Sequence, residues 1–171
     1  MRVLILTILT LIGQLTFAQE DKSKRPSPPA NTKVTTTDGV TIDINYSSPS
    51  LKGRRLGVDI ASIGKVWRTG ANEATTIEFN KDVLVEGKKL AAGKYGLYSI
   101  PGEHETTLMF SKVWNQWGTK YDAKDDALRV SVSNSTSSNM QEQFKINATA
   151  DGNISLEWGE YAVPFKVKAS N

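Results

Sequence analysis

From Val34 to Val167 the chain is a succession of short runs rich in β-branched and aromatic residues, divided by glycine or asparagine signals. That punctuation leaves no room for long helices. Strands are read at Val34 to Thr37, Val40 to Tyr46, Thr75 to Phe79, Val83 to Val85, Lys94 to Ile100 and Thr106 to Phe110. Further strands follow at Leu128 to Val132, Gln143 to Asn147, Ile154 to Trp158 and Tyr161 to Val167. Asp38-Gly39 reads as the two-residue turn of a hairpin between the first two. In Val163 to Val167, apolar Val163, Phe165 and Val167 alternate with Pro164 and Lys166, and the proline suggests an edge strand. Tyr121 to Arg129 offers the one weak helical pattern. The spacing predicts an all-β fold, a single antiparallel β-sandwich or jelly roll of about nine or ten short strands, with a β-barrel as the alternative.

The N-terminus sets the address. Met1 to Ala18 places Arg2 before an apolar run from Val3 to Ile12 and ends in Thr16-Phe17-Ala18, the three-part order of a signal peptide. The run is shorter than the roughly 20 residues that cross a bilayer. Cleavage is expected after Ala18, giving a periplasmic or extracellular product. A bacterial lipid anchor needs a cysteine at the cut, and the chain has none. Residues 19–33, dense in charge and proline, read as a disordered leader, and 34–171 as one β domain.

Composition narrows the chemistry. Without cysteine there is no disulfide framework or thiolate metal site, and a single histidine argues against structural zinc. The formal charge of +3 becomes +2 once Arg2 leaves, because the signal holds no other charged residue. So small an excess does not point to nucleic acid. Phosphate-loop and dinucleotide fingerprints are absent, so no cofactor is expected.

Two constellations stand out. Lys65, Arg68, Asn72 and Glu73 surround Trp67 and place two cations, an amide and a carboxylate near one turn, a set suited to an anionic or sugar-like ligand. The competing reading is a buried Trp67 with an Arg68–Glu73 structural ion pair. Trp114 and Trp117, with Asn115, Gln116 and Tyr121, sit in a long connection. Exposed rings beside amides make a carbohydrate platform, whereas packing under the loop is the structural alternative. Trp67 and Trp158 lie in or beside strand patterns and are expected in the core. Glu73 is the one candidate catalytic carboxylate, without an evident partner.

The remaining patterns carry less. Lys52, Arg54 and Arg55 form a short basic loop, read as solvated. Asp122, Asp125 and Asp126 lack the glycine and distal glutamate of a helix-loop-helix calcium site. Ser62-Ile63-Gly64-Lys65 and Arg68-Thr69-Gly70 mimic motifs of penicillin-binding enzymes, but too close together and without a Ser-Asp-Asn element. His104, in the charged turn Gly102-Glu103-His104-Glu105, is expected in solvent.

The string Lys65-Val-Trp-Arg-Thr-Gly-Ala-Asn-Glu-Ala-Thr75 is specific. With it go Tyr46-x-x-Pro49-x-x-Lys52-Gly53-Arg54, Ala92-Gly93-x-Tyr95-x-Leu97-x-x-Ile100-Pro101-Gly102, Gln116-Trp117-Gly118-Thr119-x-Tyr121-Asp122 and Leu156-Glu157-Trp158-Gly159. Together these segments resemble the DUF2911 family from about Val40 to Val167. One departure is Ser62-Ile63, where many members of the family are expected to have Pro-Tyr. The resemblance implies an exported bacterial domain of unknown function and supplies no catalytic residues. The leading expectation is a binding module for a glycan or small polar ligand. A polysaccharide hydrolase and a structural or interaction domain are the alternatives.

Overall fold

A computed structural model of the chain describes residues 21–170. Ten strands occur among these residues: β1 Pro29–Thr35, β2 Thr41–Ser47, β3 Thr75–Phe79, β4 Val83–Val85, β5 Lys88–Leu90, β6 Gly93–Ile100, β7 Glu105–Ser111, β8 Asp126–Ser133, β9 Ser135–Ala148 and β10 Asn153–Ala169. They form two antiparallel sheets, six strands in the order β1-β2-β3-β6-β7-β8 and four in the order β5-β4-β10-β9. Asn134 alone separates β8 from β9, so the chain passes there from one sheet to the other. The expected signal segment and its cut after Ala18 lie outside the described residues. Among those described, no helix is long and apolar enough to cross a membrane.

Alternation builds the core between the sheets. Ile42, Ile44, Ile77, Phe79, Leu97, Leu108, Phe110, Val130 and Val132 face Phe144, Ile146, Ile154, Leu156, Trp158, Val163, Phe165 and Val167, all buried in one cluster. Each such side chain contributes roughly 1.5–3 kcal/mol relative to exposure, and no disulfide supplements them. Strands β6 and β7 are covered on both faces: Tyr98 and Met109 point outward but are buried under Ala74, Ile100 and Tyr121. This second small core lies beneath the connection from Lys112 to Asp122.

Several expectations need correction. The leader was expected to be disordered through Lys33, but β1 starts at Pro29 and pairs with β2 from Pro29–Ser47 to Thr35–Thr41. A proline tolerates the first position of an edge strand, which explains how a proline-rich stretch joins a sheet. Upstream, Lys22–Lys24 form one 3₁₀ turn capped by Asp21. Pro164 does not mark an edge, since β10 lies between β4 and β9. It falls where the β9 ladder has ended at Ala162 and the β4 ladder, starting at Val167, has not begun. The weak helical signal at Tyr121 to Arg129 is only a 3₁₀ turn at Ala123–Asp125 running into β8. The Asp38-Gly39 hairpin exists, but its loop is wider than two residues. Thr36 and Val40 are hydrogen-bonded across it, and Gly39 takes φ +80°.

Candidate functional site

On the inner face of the six-stranded sheet the apolar alternation stops at one end. Along β6, Leu97 is followed two residues on by Ser99; along β7, Phe110 and Leu108 lead back to Thr106. Ser99 pairs directly with Leu108, so Ser99 and Thr106 are diagonal neighbours on the same face. Both are fully buried. Here the two sheets part and leave a cavity of about 230 Å³. Its walls are mostly apolar: Trp67, Phe144, Leu156, Trp158 and Val163, closed above by Leu56, Ala61 and Ile63.

The wall is rigid. Trp67 stacks on Trp158 with ring centroids 5.5 Å apart and planes within 15°. Phe144 meets both edge-on, at 5.1 and 5.9 Å. The Trp158 indole donates to the Glu142 carbonyl at 3.2 Å, and the Trp67 backbone pairs in both directions with Ser99. A sealed void of this size would forgo about 5 kcal/mol of packing. This one opens to solvent and forgoes less, yet filling it with larger side chains would be the ordinary route to stability.

The polar groups in the wall have a fixed sense. The Asn134 amide nitrogen donates to Gly102 O at 2.9 Å, which orients its oxygen to accept from Thr106 Oγ1 at 2.8 Å. The single Thr106 proton is thereby committed, so the 2.6 Å contact with Tyr161 is a bond donated by the tyrosine. Burial pushes the Tyr161 hydroxyl above its ordinary pKa of 10.0, so it remains protonated at neutral pH. On the neighbouring strand, Ser99 Oγ accepts from Thr69 Oγ1 at 3.0 Å.

The roof is the segment from Lys52 to Val66. Its backbone is left-handed at Lys52, Gly53, Gly57, Ala61 and Gly64, so it coils tightly on itself. Its bonds are largely internal: Gly57 N to Ile60 O at 2.9 Å, Ile63 N to Gly57 O at 3.0 Å, Asp59 N to Arg55 O at 3.0 Å. Gly64 N to Pro101 O, 2.8 Å, fastens it to the end of β6. Val58, Ile63 and Val66 stand exposed on it. Gly159, at φ +61°, lets β10 pass close beneath, since a Cβ there would lie 3.0 Å from Leu56 Cδ1.

The two constellations expected from sequence do meet, but elsewhere. Glu73 pairs with Trp117 across an isolated bridge, Ala74 N donates to Gln116 O at 3.1 Å, and Gly118 N to Asn72 O at 3.0 Å. These backbone bonds tie Asn72, Glu73, Gln116 and Trp117 together over the outer face of the six-stranded sheet. Arg68 reaches Asn72 O at 3.4 Å, and its side chain packs where a Cβ on Gly118 would otherwise lie. Gln116 donates to the Tyr98 hydroxyl at 3.1 Å, while Tyr121 donates to Asp126 at 2.7 Å and leans on Tyr98. Trp114 and Trp117 are 38% and 47% exposed, so they are not packed beneath the loop. Lys65 stands exposed at the end of the roof, apart from this group.

Glu73 is not paired with Arg68. Its partners come from the segment expected to be disordered: Lys22 at 2.9 Å and Arg25 at 3.0 and 3.1 Å. The Lys22 hydrogen bond, helped by Arg25, holds the carboxyl at about 2, against burial, which acts the other way. A group so acidic is no proton donor at neutral pH. The shallow cleft around it, lined by Arg25, Asn45, Tyr46 and Thr76 among others, contains no second carboxylate among the described residues. Ser62 donates to the Val58 carbonyl at 3.2 Å within the roof. Asp122 caps a turn, and Asp126 takes Tyr121 and Arg129. Among the described residues no group of three or more acidic or histidine side chains is placed to hold a metal.

Sequence reasoning missed the cavity. Its signal was present in the inward hydroxyls Ser99 and Thr106 ending two apolar runs. Comparison finds no matching curated protein and no matching solved structure. One family model does match, over residues 27–167, and it begins within the supposed leader, in agreement with the ordered β1. The chain belongs to the DUF2911 family, described as proteins of unknown function.

Proposed function

We propose that this protein is a binding module that takes a small, uncharged and largely apolar molecule into the cavity between its sheets. The observation that carries the reading is a cavity of about 230 Å³ walled by the Trp67–Trp158 stack and Phe144. An apolar cavity of about 150 Å³ is enough for benzene, so this one suits a molecule of roughly ten heavy atoms. The wall presents no cation, and its one acid, Glu103, is exposed at the mouth, an arrangement that disfavours anions. The Met1 to Ala18 pattern supports export to the periplasm or medium, where such a module would meet small molecules from outside the cell.

A thermal-shift series with uncharged aromatic and aliphatic molecules tests this. A ligand at 100 times its dissociation constant adds about 2.7 kcal/mol, a visible rise in midpoint. No rise for any neutral molecule of this size at millimolar concentration contradicts the reading. A second reading rests on the exposure of Trp114 and Trp117, with Lys94 4.7 Å above the Trp114 ring: a glycan platform on the outer face. Oligosaccharides in the same series, repeated on Trp117→Ala, test it.

A further inference from the structure

The hydrogen-bond polarity of the cavity defines its ligand more narrowly than its volume does. Thr106 spends its only proton on Asn134, so Tyr161 spends its own on Thr106, and the Tyr161 oxygen faces the cavity with lone pairs alone. Ser99 is the opposite case. Its oxygen already accepts from Thr69, and among the described residues its hydroxyl proton has no acceptor. Among the hydroxyls of the lining, Ser99 therefore offers a donor and Tyr161 an acceptor. Ser99 stands on β6 and Tyr161 on β10 of the other sheet, bonded to Thr106 of β7, the diagonal neighbour of Ser99 about 7–8 Å away at that spacing.

From this we infer that the ligand class is a neutral ring alcohol or phenol, a flat apolar body bearing a hydroxyl that donates to Tyr161 Oη or accepts from Ser99 Oγ. The inference rests on the cavity being the binding site, as proposed above. A plain hydrocarbon leaves both wall groups unsatisfied, and a carboxylate has no proton to give Tyr161. A hydroxyl serves either group, and the stacked indoles accept the ring.

Matched molecules separate the two claims. Naphthalene and naphthol share a ring system of the right size and differ by the hydroxyl. Calorimetric or fluorescence titration of the mature protein is expected to show naphthol binding about tenfold more tightly. In Tyr161→Phe and in Ser99→Ala the ratio of the two affinities should fall, toward unity in whichever variant removes the partner used. Tyr161→Phe leaves the Thr106–Asn134 bond in place and so guards against a folding defect. Equal affinities in the wild type, or a ratio unmoved by both variants, overturns the inference while leaving the cavity as a binding site. If neither molecule binds, the proposed function falls, and the inference with it.

Discussion

Glu73 and Arg25, 48 residues apart, meet with one guanidinium nitrogen 3.0 and 3.1 Å from the two carboxylate oxygens, and Lys22 adds a third contact at 2.9 Å. Asn72, next to Glu73, donates to Ser27 O at 3.2 Å. The N-terminal segment is thus bound to the end of the Trp67 to Glu73 string whose other end walls the cavity.

This clasp has an acid signature. The unfolded carboxyl titrates near 4.5 and the folded one at about 2. The depressed value means that stability present above pH 4.5 is lost as pH falls toward 2, because the unfolded chain takes the proton first. Glu73 is 41% exposed, so solvent screening limits the effect to about 1 kcal/mol. Urea midpoints at pH 6 and pH 3 should differ less in Glu73→Gln than in the wild type, and Glu73→Gln should be the weaker at pH 6. Equal pH slopes would show that the clasp does not hold in solution.

At high pH the tyrosines dominate. Burial pushes up Tyr95, Tyr98 and Tyr161, and burial with the bond to Asp126 raises Tyr121 to about 12. Raised values favour the folded state below pH 10, and that advantage is lost as pH climbs from 10 to 12. A spectrophotometric phenol titration should show most tyrosines ionising late and together with unfolding; simple titration near 10 contradicts this burial.

The Tyr161–Thr106–Asn134 chain makes Thr106→Val a sharp test. The change keeps shape but leaves a half-buried tyrosine hydroxyl and an amide oxygen unpartnered, which should cost about 1 kcal/mol by denaturant unfolding. A loss under about 0.5 kcal/mol, the level of an ordinary surface change, would mean that the chain of bonds is not formed.

Two glycines give a controlled comparison. Gly152 and Gly87 share a left-handed backbone, at φ +81° and +78°. A Cβ on Gly87 meets nothing within 4 Å, whereas one on Gly152 runs into the Val167 carbonyl. Gly87→Ala should cost about 1 kcal/mol from the backbone alone, and Gly152→Ala clearly more. Equal losses would place Val167 elsewhere.

Local alternation made most of the strands legible: Thr75–Phe79 and Val83–Val85 stand where the sequence placed them. β1 was legible only at its Val34–Thr35 end, because an edge strand half-buried on one face carries no apolar period in Ala-Asn-Thr-Lys-Val. The continuity of β10 was hidden by Gly159, where the ladder to β9 shifts register. Lys88–Leu90 is too short and too charged to read as a strand. For the site, spacing brought out two local groups, Trp67, Arg68 and Glu73 in one and Trp114 and Trp117 in the other. Their true partners, Trp158 and Arg25, are set by long-range pairing that no local pattern encodes.

The most direct measurement is a methyl-resolved NMR titration of the protein with naphthol. The account predicts shifts at Leu56, Ile63, Leu156 and Val163, which line the cavity, and none at Val113 beside the exposed tryptophans. Shifts confined to Val113 and the Trp114 and Trp117 rings, or none at millimolar naphthol, would contradict it.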